Sequence, residues 1–570
     1  MAHHATPPTW HLYLPKLVTV LREGYGARQF RADLVAGLTV AIVALPLAMA
    51  LAIASGTSPE KGLHTAIIAG FLVSALGGSR VQIGGPTAAF IPVVFNVIER
   101  FGYGGLVLCT LLAGLILVAA GLLRVGALMR YMPQPVVTGF TAGIAVTIFL
   151  SQVKDALGLP IERLPGEFLE RLQAYGRHLG EFDATTVAMT AGCLALIVGL
   201  RRWRPAWPGF LLAVVAGSVV VALAALPVAT IGSVHGAIPS ALPSFSIPEI
   251  PFARTAELLP SALTIAFLAG VESLLSAVVA DGMTGGRHRS NCELVAQGVA
   301  NVGSALFGAL PATGAIARTA TNVRAGGRTP VAGMLHAGFL LLFMLVLAPL
   351  MAWVPLPALA AVLLVVAWNM SEVERFRHLM KAPVGDRVVL LVTFGLTVAF
   401  DLTVAIQVGV VLAAFQFMHR MGEVVAMETD VELIDEDRDD AAGGAQPDQR
   451  DLLPAGVAAF RISGPLFFAV ANRLDTVLDQ YPDRPAVFIL RLRLVPLIDA
   501  SGAQALADFL DRCRRMGTAV ILSGLQAQPA SVLIAMGLNR HPALVGEAVG
   551  FPEAVAMARS HLDATAPATA

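Results

Sequence analysis

Apolar runs of bilayer length dictate what this chain can fold into. Twelve stretches, 34–54, 61–77, 104–123, 134–152, 184–200, 208–227, 259–280, 292–309, 330–351, 354–369, 387–401 and 403–419, are almost free of charge. Each approaches the ~20 apolar residues that carry a helix across a membrane. Two further apolar segments, 82–97 and 310–323, are shorter and broken by glycine and proline. The first contains Gly84-Gly85-Pro86 and the second opens on Leu310-Pro311-Ala312-Thr313-Gly314. Hydrophobic residues make up 56 % of the chain and charged residues 14 %, whereas soluble domains carry about 25 % charged residues. Ordinary soluble domains and a disordered chain are both excluded. The expected fold is a polytopic α-helical membrane protein of fourteen spans.

The net charge of zero conceals an asymmetry. Residues 1–420 hold 27 Lys/Arg and 19 Asp/Glu, a net +8, and residues 421–570 hold 12 and 20, a net −8. Fourteen spans return both termini to one side, and the loops on that side carry 19 basic residues against seven opposite. Positive charge marks the cytoplasm, so both termini are expected there, in a multi-pass protein of the inner (cytoplasmic) membrane. The expected parts are a cytoplasmic segment 1–33, a transmembrane domain 34–420, an acidic linker 421–451 and a small domain 452–565. Segment 1–33 lacks the short apolar run and cleavage site of a signal peptide. Cys109, Cys193, Cys292 and Cys513 have no pairing or metal-ligand spacing and read as small core residues.

The two broken segments are each third within a set of seven. Sliding the sequence by 226 residues places Thr87 on Thr313. Because seven is odd, the halves must run in opposite senses, the pattern of a 7+7 inverted repeat whose discontinuous helices mark a midplane site. The half-helix starts at Pro86–Phe90 and Thr313–Ala317 would then point unpaired N–H groups at one place, which favours an anion. The tail reads as a small α/β domain, with strands at 456–462, 486–492 and 518–522 and helices at 466–479, 501–515, 529–536 and 552–559.

Glu272 is the only acid between Glu257 and Asp281. A carboxylate at bilayer depth is costly and should face a cavity, pair, or carry a proton. Arg318, inside the second broken segment, is placed to pair with Glu272 or with a bound anion. His64 and His336 read as hydrogen-bonded core histidines, and His288, between Arg287 and Arg289, as solvated. The chain has no Gly-Lys pair for a phosphate loop and no His-Glu-x-x-His. No enzyme, cofactor, metal or nucleic-acid partner is expected, and transport would draw on gradients.

These residues resemble the SulP (sulfate permease) family of anion transporters over about 15–565. The likeness rests on Asp33-Leu34-Val35-Ala36-Gly37-Leu38-Thr39, on Gly77-Gly78-Ser79-Arg80 before Gly84-Gly85-Pro86-Thr87-Ala88-Ala89-Phe90, on Glu272-Ser273-Leu274-Leu275, and on Gly314-Ala315-Ile316-Ala317-Arg318-Thr319. In the tail, Asp499-Ala500-Ser501-Gly502 resembles the turn of a STAS domain. Within the family, Leu45-Pro46-Leu47-Ala48-Met49 and Val366-Ala367-Trp368-Asn369 are most similar to bacterial C4-dicarboxylate transporters.

The resemblance implies a core of spans 1–4 and 8–11 moving past a gate of spans 5–7 and 12–14 like an elevator. It also implies a homodimer in the lipid bilayer, and a cytosolic protein or nucleotide partner at the STAS domain. Thr87, Ala88, Phe90, Thr313, Gly314, Ala315, Ile316 and Arg318 are the expected substrate-binding residues. Glu272 is the expected coupling acid, with Ser276 one turn on. Sodium-driven bicarbonate relatives carry Asp at the place of Glu272, so sodium stays open beside the proton. Leu47 stands where many members have Gln, and Ala315 and Ala317 where many have hydroxyls. The expectation is a proton-coupled symporter of fumarate, succinate or aspartate. A sodium- or proton-coupled bicarbonate or sulfate transporter and a non-transporting sensor are its rivals.

Overall fold

The computed structural model describes residues 12–126, 132–161, 164–165, 168–205, 207–236, 245, 254–400, 402–424, 426–428, 453–467 and 485–565. They form two compact units, 1–413 and 414–570.

The first unit is built of α1 (Lys16–Glu23), α2 (Ala27–Ala54), α3 (Pro59–Leu76), β1 (Gly84–Gly85), α4 (Ile91–Leu122), α5 (Gln134–Leu157), α6 (Phe168–His178), α7 (Ala184–Trp203) and α8 (Gly209–Ala224). It continues through α9 (Thr255–Thr284), α10 (Ser290–Leu306), β2 (Thr313–Gly314), α11 (Ile316–Arg324), α12 (Pro330–Met351), α13 (Leu356–Met370), α14 (Val384–Ala399) and the greater part of α15 (Leu402–Val424). Eight helical stretches among the described residues are long and apolar enough to cross a membrane, and the others are shorter. α4 carries two of the expected spans, because Gly102 breaks its helical backbone at φ 70°, ψ −177°, a conformation glycine adopts without penalty. Counting its two halves separately gives fourteen helical segments among the described residues of this unit, with α1, α6 and the short helices Ile231–His235 and Val373–Leu379 set aside.

The halves repeat. α9 begins 228 residues after α2, and α11 begins 225 residues after α4. β1 and β2 pair antiparallel, Gly84 with Gly314 and Gly85 with Thr313. Antiparallel pairing is what two equivalent strands related by an inverting pseudo-twofold produce.

Helices α2, α3, α4 and α9–α12 pack mainly on one another, and α5, α7, α8, α13 and α14 form a second group. In lipid, helix association is driven by close packing rather than by water, and the sequence supplies small residues for it. Ala36, Ala41, Ala44, Ala48 and Ala52 of α2 are all fully buried. A Cβ on Gly62 of α3 would overlap the Ala48 carbonyl.

The second unit is a five-stranded sheet of β3 (Ala426–Glu428), β4 (Val457–Ser463), β5 (Val487–Leu494), β6 (Ala519–Ser523) and β7 (Leu544–Ala548), in that order. β3 is antiparallel to β4 and the remaining pairs are parallel. Side chains alternate between faces along β5. Phe488, Leu490 and Leu492 join Leu506, Phe509 and Leu510 of α16 (Ala500–Met516). Val487 and Ile489 join Phe551, Ala554 and Ala558 of α18 (Phe551–Thr565) on the other face. α17 (Ala527–Ala535) lies on the α16 side through Leu533.

The expected strands and helices of the tail recur within a few residues, apart from helix 466–479, of which only 466–467 are described. β3 and β7 correct the reading. β3 puts 426–428, expected in the linker, into the sheet, and the rest of the linker lies outside the described residues. Arg130 and Arg163 of the loop count also lie outside them.

Candidate functional site

The site is built around the β1–β2 crossing. α3 ends at Leu76 with Gly77 as its C-cap, and the chain runs through Gln82 into β1 before turning into the Ala88–Phe90 turn and α4. On the other side β2 leads into α11, whose N-cap Ala315 donates its N–H to the Ile83 carbonyl at 2.8 Å. The first-turn N–H groups of α11 have no helical acceptor, as at every helix start. The two half-helices therefore begin side by side, as their sequences predicted.

Glu272 of α9 meets this place. Thr87 Oγ1 donates to Glu272 Oε2 at 3.0 Å. Both residues are half-buried, and no ion pair to Glu272 is present among the described residues. Thr87 is thus the hydrogen-bond donor to this carboxylate among the described residues, and a carboxylate at bilayer depth is costly unless solvated, paired or protonated. Ala88 and Phe90 are buried, and Thr313 Oγ1 donates to the Ala269 carbonyl at 2.8 Å. Gly314 lies so close to the Gln82 amide that a Cβ there would overlap it. Ala315 is 8 % exposed and Ile316 41 %, so the lining at the start of α11 is apolar.

Arg318 and Ser276 have partners other than Glu272. Arg318 does not pair with Glu272. It is 2 % exposed and its Nη2 donates to the Pro86 carbonyl at 2.8 Å. Nε and Nη1 have no hydrogen-bond partner among the described residues, and Nη1 lies where a Cβ on Gly85 would sit. The helical step of α11 turns residue 318 away from the face that exposes Ile316 and Ala317. Its charge acts from behind the crossing. Ser276 donates to Thr319 Oγ1 at 3.1 Å, and Thr319 Oγ1 also accepts from Ile83 N at 3.1 Å. Ser276 is therefore engaged between α9 and α11.

The histidines also differ from expectation. His336 is fully buried and His64 half-buried, and the ring nitrogens of neither have a hydrogen-bond partner among the described residues. Both belong to the core without being hydrogen-bonded in it. His288 is pinned, with Nδ1 2.7 Å from Asp281 Oδ2 and Nε2 3.0 Å from Ser290 Oγ. The loop closing α9 onto α10 holds it out of solvent.

Sequence reading missed a polar network one layer away. Glu293, Gln297 and Asn301 are fully buried along α10. Asn301 brackets Ala312, donating from Nδ2 to its carbonyl and accepting from its N–H, both at 2.9 Å. Their spacing, i, i+4 and i+8, places them on one helix face, and this periodicity was the available signal.

Comparison with known proteins matches this geometry to a family. The sulfate permease family profile matches residues 30–393, and the STAS domain profile matches 453–549. The chain belongs to the sulfate permease family. This permease is 40 % identical to YvdB of Bacillus subtilis, a relative named after sulfate transport, over 519 residues, 90 % of this chain and 95 % of that one. It is 29 % identical to the bicarbonate transporter BicA of Picosynechococcus over 519 residues, 88 % and 90 % of the two chains. Among solved structures, murine Slc26a9 in the inward-facing state covers 98 % of this chain with 96 % of its own, at TM-score 0.84 and 18 % identity, which speaks for fold alone. The transmembrane domain of BicA aligns at TM-score 0.62 and 29 % identity, covering 67 % of this chain and 98 % of its own. The permease is thus a multi-pass membrane anion transporter with a C-terminal STAS domain. The relatives' names give no support to the narrower dicarboxylate expectation.

Proposed function

We propose that this permease takes up a small inorganic oxyanion, sulfate or bicarbonate, by secondary active transport, and that Glu272 carries the coupling cation, a proton in the first place. The anion sits where α4 and α11 begin, capped by their N–H groups. The core helices carry it past the α5, α7, α8, α13 and α14 group in an elevator-like stroke. The protein works as a homodimer in the cytoplasmic membrane with both termini in the cytosol. The hydrogen bond from Thr87 to Glu272 carries the reading, since it puts one carboxylate at the mouth of the half-helix that receives the anion.

Charge repulsion supplies the coupling. Two unit charges roughly 5 Å apart at an effective dielectric of ~20 repel by about 3 kcal/mol, on the order of a hundredfold in binding. Neutralising Glu272 removes that penalty, and linkage makes the bound anion hold the cation equally firmly. The names of YvdB and BicA favour the inorganic anions. The apolar lining at Ala315 and Ile316 favours the second reading, a C4-dicarboxylate.

The test is a panel of labelled sulfate, bicarbonate and fumarate in proteoliposomes under imposed pH or sodium gradients. Glu272→Gln should still exchange anion but no longer concentrate it in response to a pH gradient. Gradient-driven accumulation by that variant removes Glu272 from the coupling step. Fumarate uptake that sulfate and bicarbonate do not compete away selects the second reading.

A further inference from the structure

Glu293 lies outside the anion site, yet it is tied to it at three points. Its side chain is fully buried at the first turn of α10. Oε2 accepts from the N–H groups of Gly78 at 2.8 Å and Ser79 at 3.1 Å. Oε1 accepts from Gln297 Nε2 at 2.9 Å and from Ser273 Oγ at 3.2 Å. Four donors converge on one carboxylate, and no cation lies within ion-pair distance among the described residues. Three of the four are N–H groups that cannot accept, so the arrangement is that of a carboxylate anion held by neutral donors.

The connections run to the crossing. Gly78 and Ser79 open the link from α3 to β1, and Gln82 closes it. Gln82 Nε2 donates to Ser273 Oγ at 2.8 Å and to the Ser273 carbonyl at 3.2 Å. The same Gln82 amide fills the space above Gly314 of β2, and Ser273 follows Glu272 in α9. One carboxylate thus fixes both ends of the 78–82 link and the backbone beside the coupling acid.

We propose that Glu293 is a positioning residue of the anion site: through Ser273 and Gln82 it holds the β1–β2 crossing, and with it the two half-helix starts, at the spacing that binds the anion. The inference rests on the transport reading above.

The test uses the full chain in proteoliposomes with labelled sulfate, bicarbonate and fumarate as probes. Glu293→Gln keeps the shape, and Gln297 can turn its carbonyl to the new amide. Ser273→Ala removes a single hydroxyl from the relay. Each variant should raise the KM of the transported anion about tenfold while the maximal rate changes far less, and the double variant should be no worse than the weaker single, because both cut one chain. A residue serving only folding would lower the amount of folded protein and leave KM alone. Singles with KM within twofold of the parent protein, or strictly additive effects, overturn the proposal. Should Glu293→Gln fail to fold, Ser273→Ala decides by itself on the same KM criterion. A parent protein that moves none of the three anions counts against the transport reading instead.

Discussion

Two glutamates in the same helical core meet different surroundings, and their contrast organises the site at the residue scale. Among the described residues Glu293 is surrounded by donors and Glu272 has the one from Thr87. Environments that differ this much assign different roles to one side-chain type. Glu272 was legible because it stands alone in an apolar run. Glu293 was not, because the donors that make it tolerable come from residues 78, 79, 273 and 297. Gly85 gives a further prediction. Its φ is +150° and a Cβ would overlap the Arg318 guanidinium, so Gly85→Ala should destabilise the protein by roughly 1–3 kcal/mol and lower the melting temperature in detergent. In the STAS domain, burial pushes the Cys513 thiol up to about 12. Because the thiolate is the reactive form, a maleimide should leave Cys513 unlabelled in the folded chain and modify it only once the domain unfolds. Rapid labelling of the native protein would contradict the buried placement.

At the scale of elements, the N-terminal segment does more than its sequence promised. The chain before residue 34 reads from its sequence only as a polar and aromatic lead-in. In the structure it straps three helix ends. Lys16 N donates to the Gly77 carbonyl at 2.9 Å, Tyr13 OH to the Gly121 and Leu122 carbonyls at 3.2 and 3.1 Å, and Arg289 Nη1 to the Leu14 carbonyl and to Thr19 Oγ1. Arg80 closes the strap by pairing with Glu23. The Arg80 hydrogen bond holds the Glu23 carboxyl below its ordinary range. A depressed carboxyl contributes above its ordinary pKa, and the contribution fades as pH falls through the lowered value. Hydrogen exchange of residues 12–23, corrected for the intrinsic pH dependence of amide exchange, should therefore rise as pH drops below about 4. The rise should be small, since the pair is exposed and screened, and Arg80→Ala should abolish the pH dependence. An unchanged acid response in that variant would assign the effect to other groups.

The whole molecule is closed by contacts between its repeats. Asp33, fully buried at the start of α2, accepts from Tyr25 OH at 3.0 Å, from the N–H groups of Arg328 and Thr329 at 3.0 and 3.3 Å, and from Thr329 Oγ1. It joins the first span to the start of α12, nearly 300 residues on. Asp33→Asn should cost about 2–4 kcal/mol, because donors are left buried without their charged acceptor, and a melting temperature within a degree of the parent protein would refute this. Motifs that resemble the sulfate permease family supplied the family, and the apolar runs, their spacing and the two Gly/Pro-broken segments determined by themselves the fourteen helical segments and the inverted repeat. Lipid admits few backbone solutions, so hydropathy and period suffice for that. The lone acid of an apolar run singles out Glu272 and the Gly/Pro breaks single out the half-helix starts, both local signals, while Thr87 enters through the family resemblance. Only the tertiary structure decided that Arg318 stands behind the crossing, that Ser276 is engaged by Thr319, and that Glu293 has its donors. A side chain's partners come from distant parts of the chain, and which face of a short half-helix looks inward is set by what packs against it.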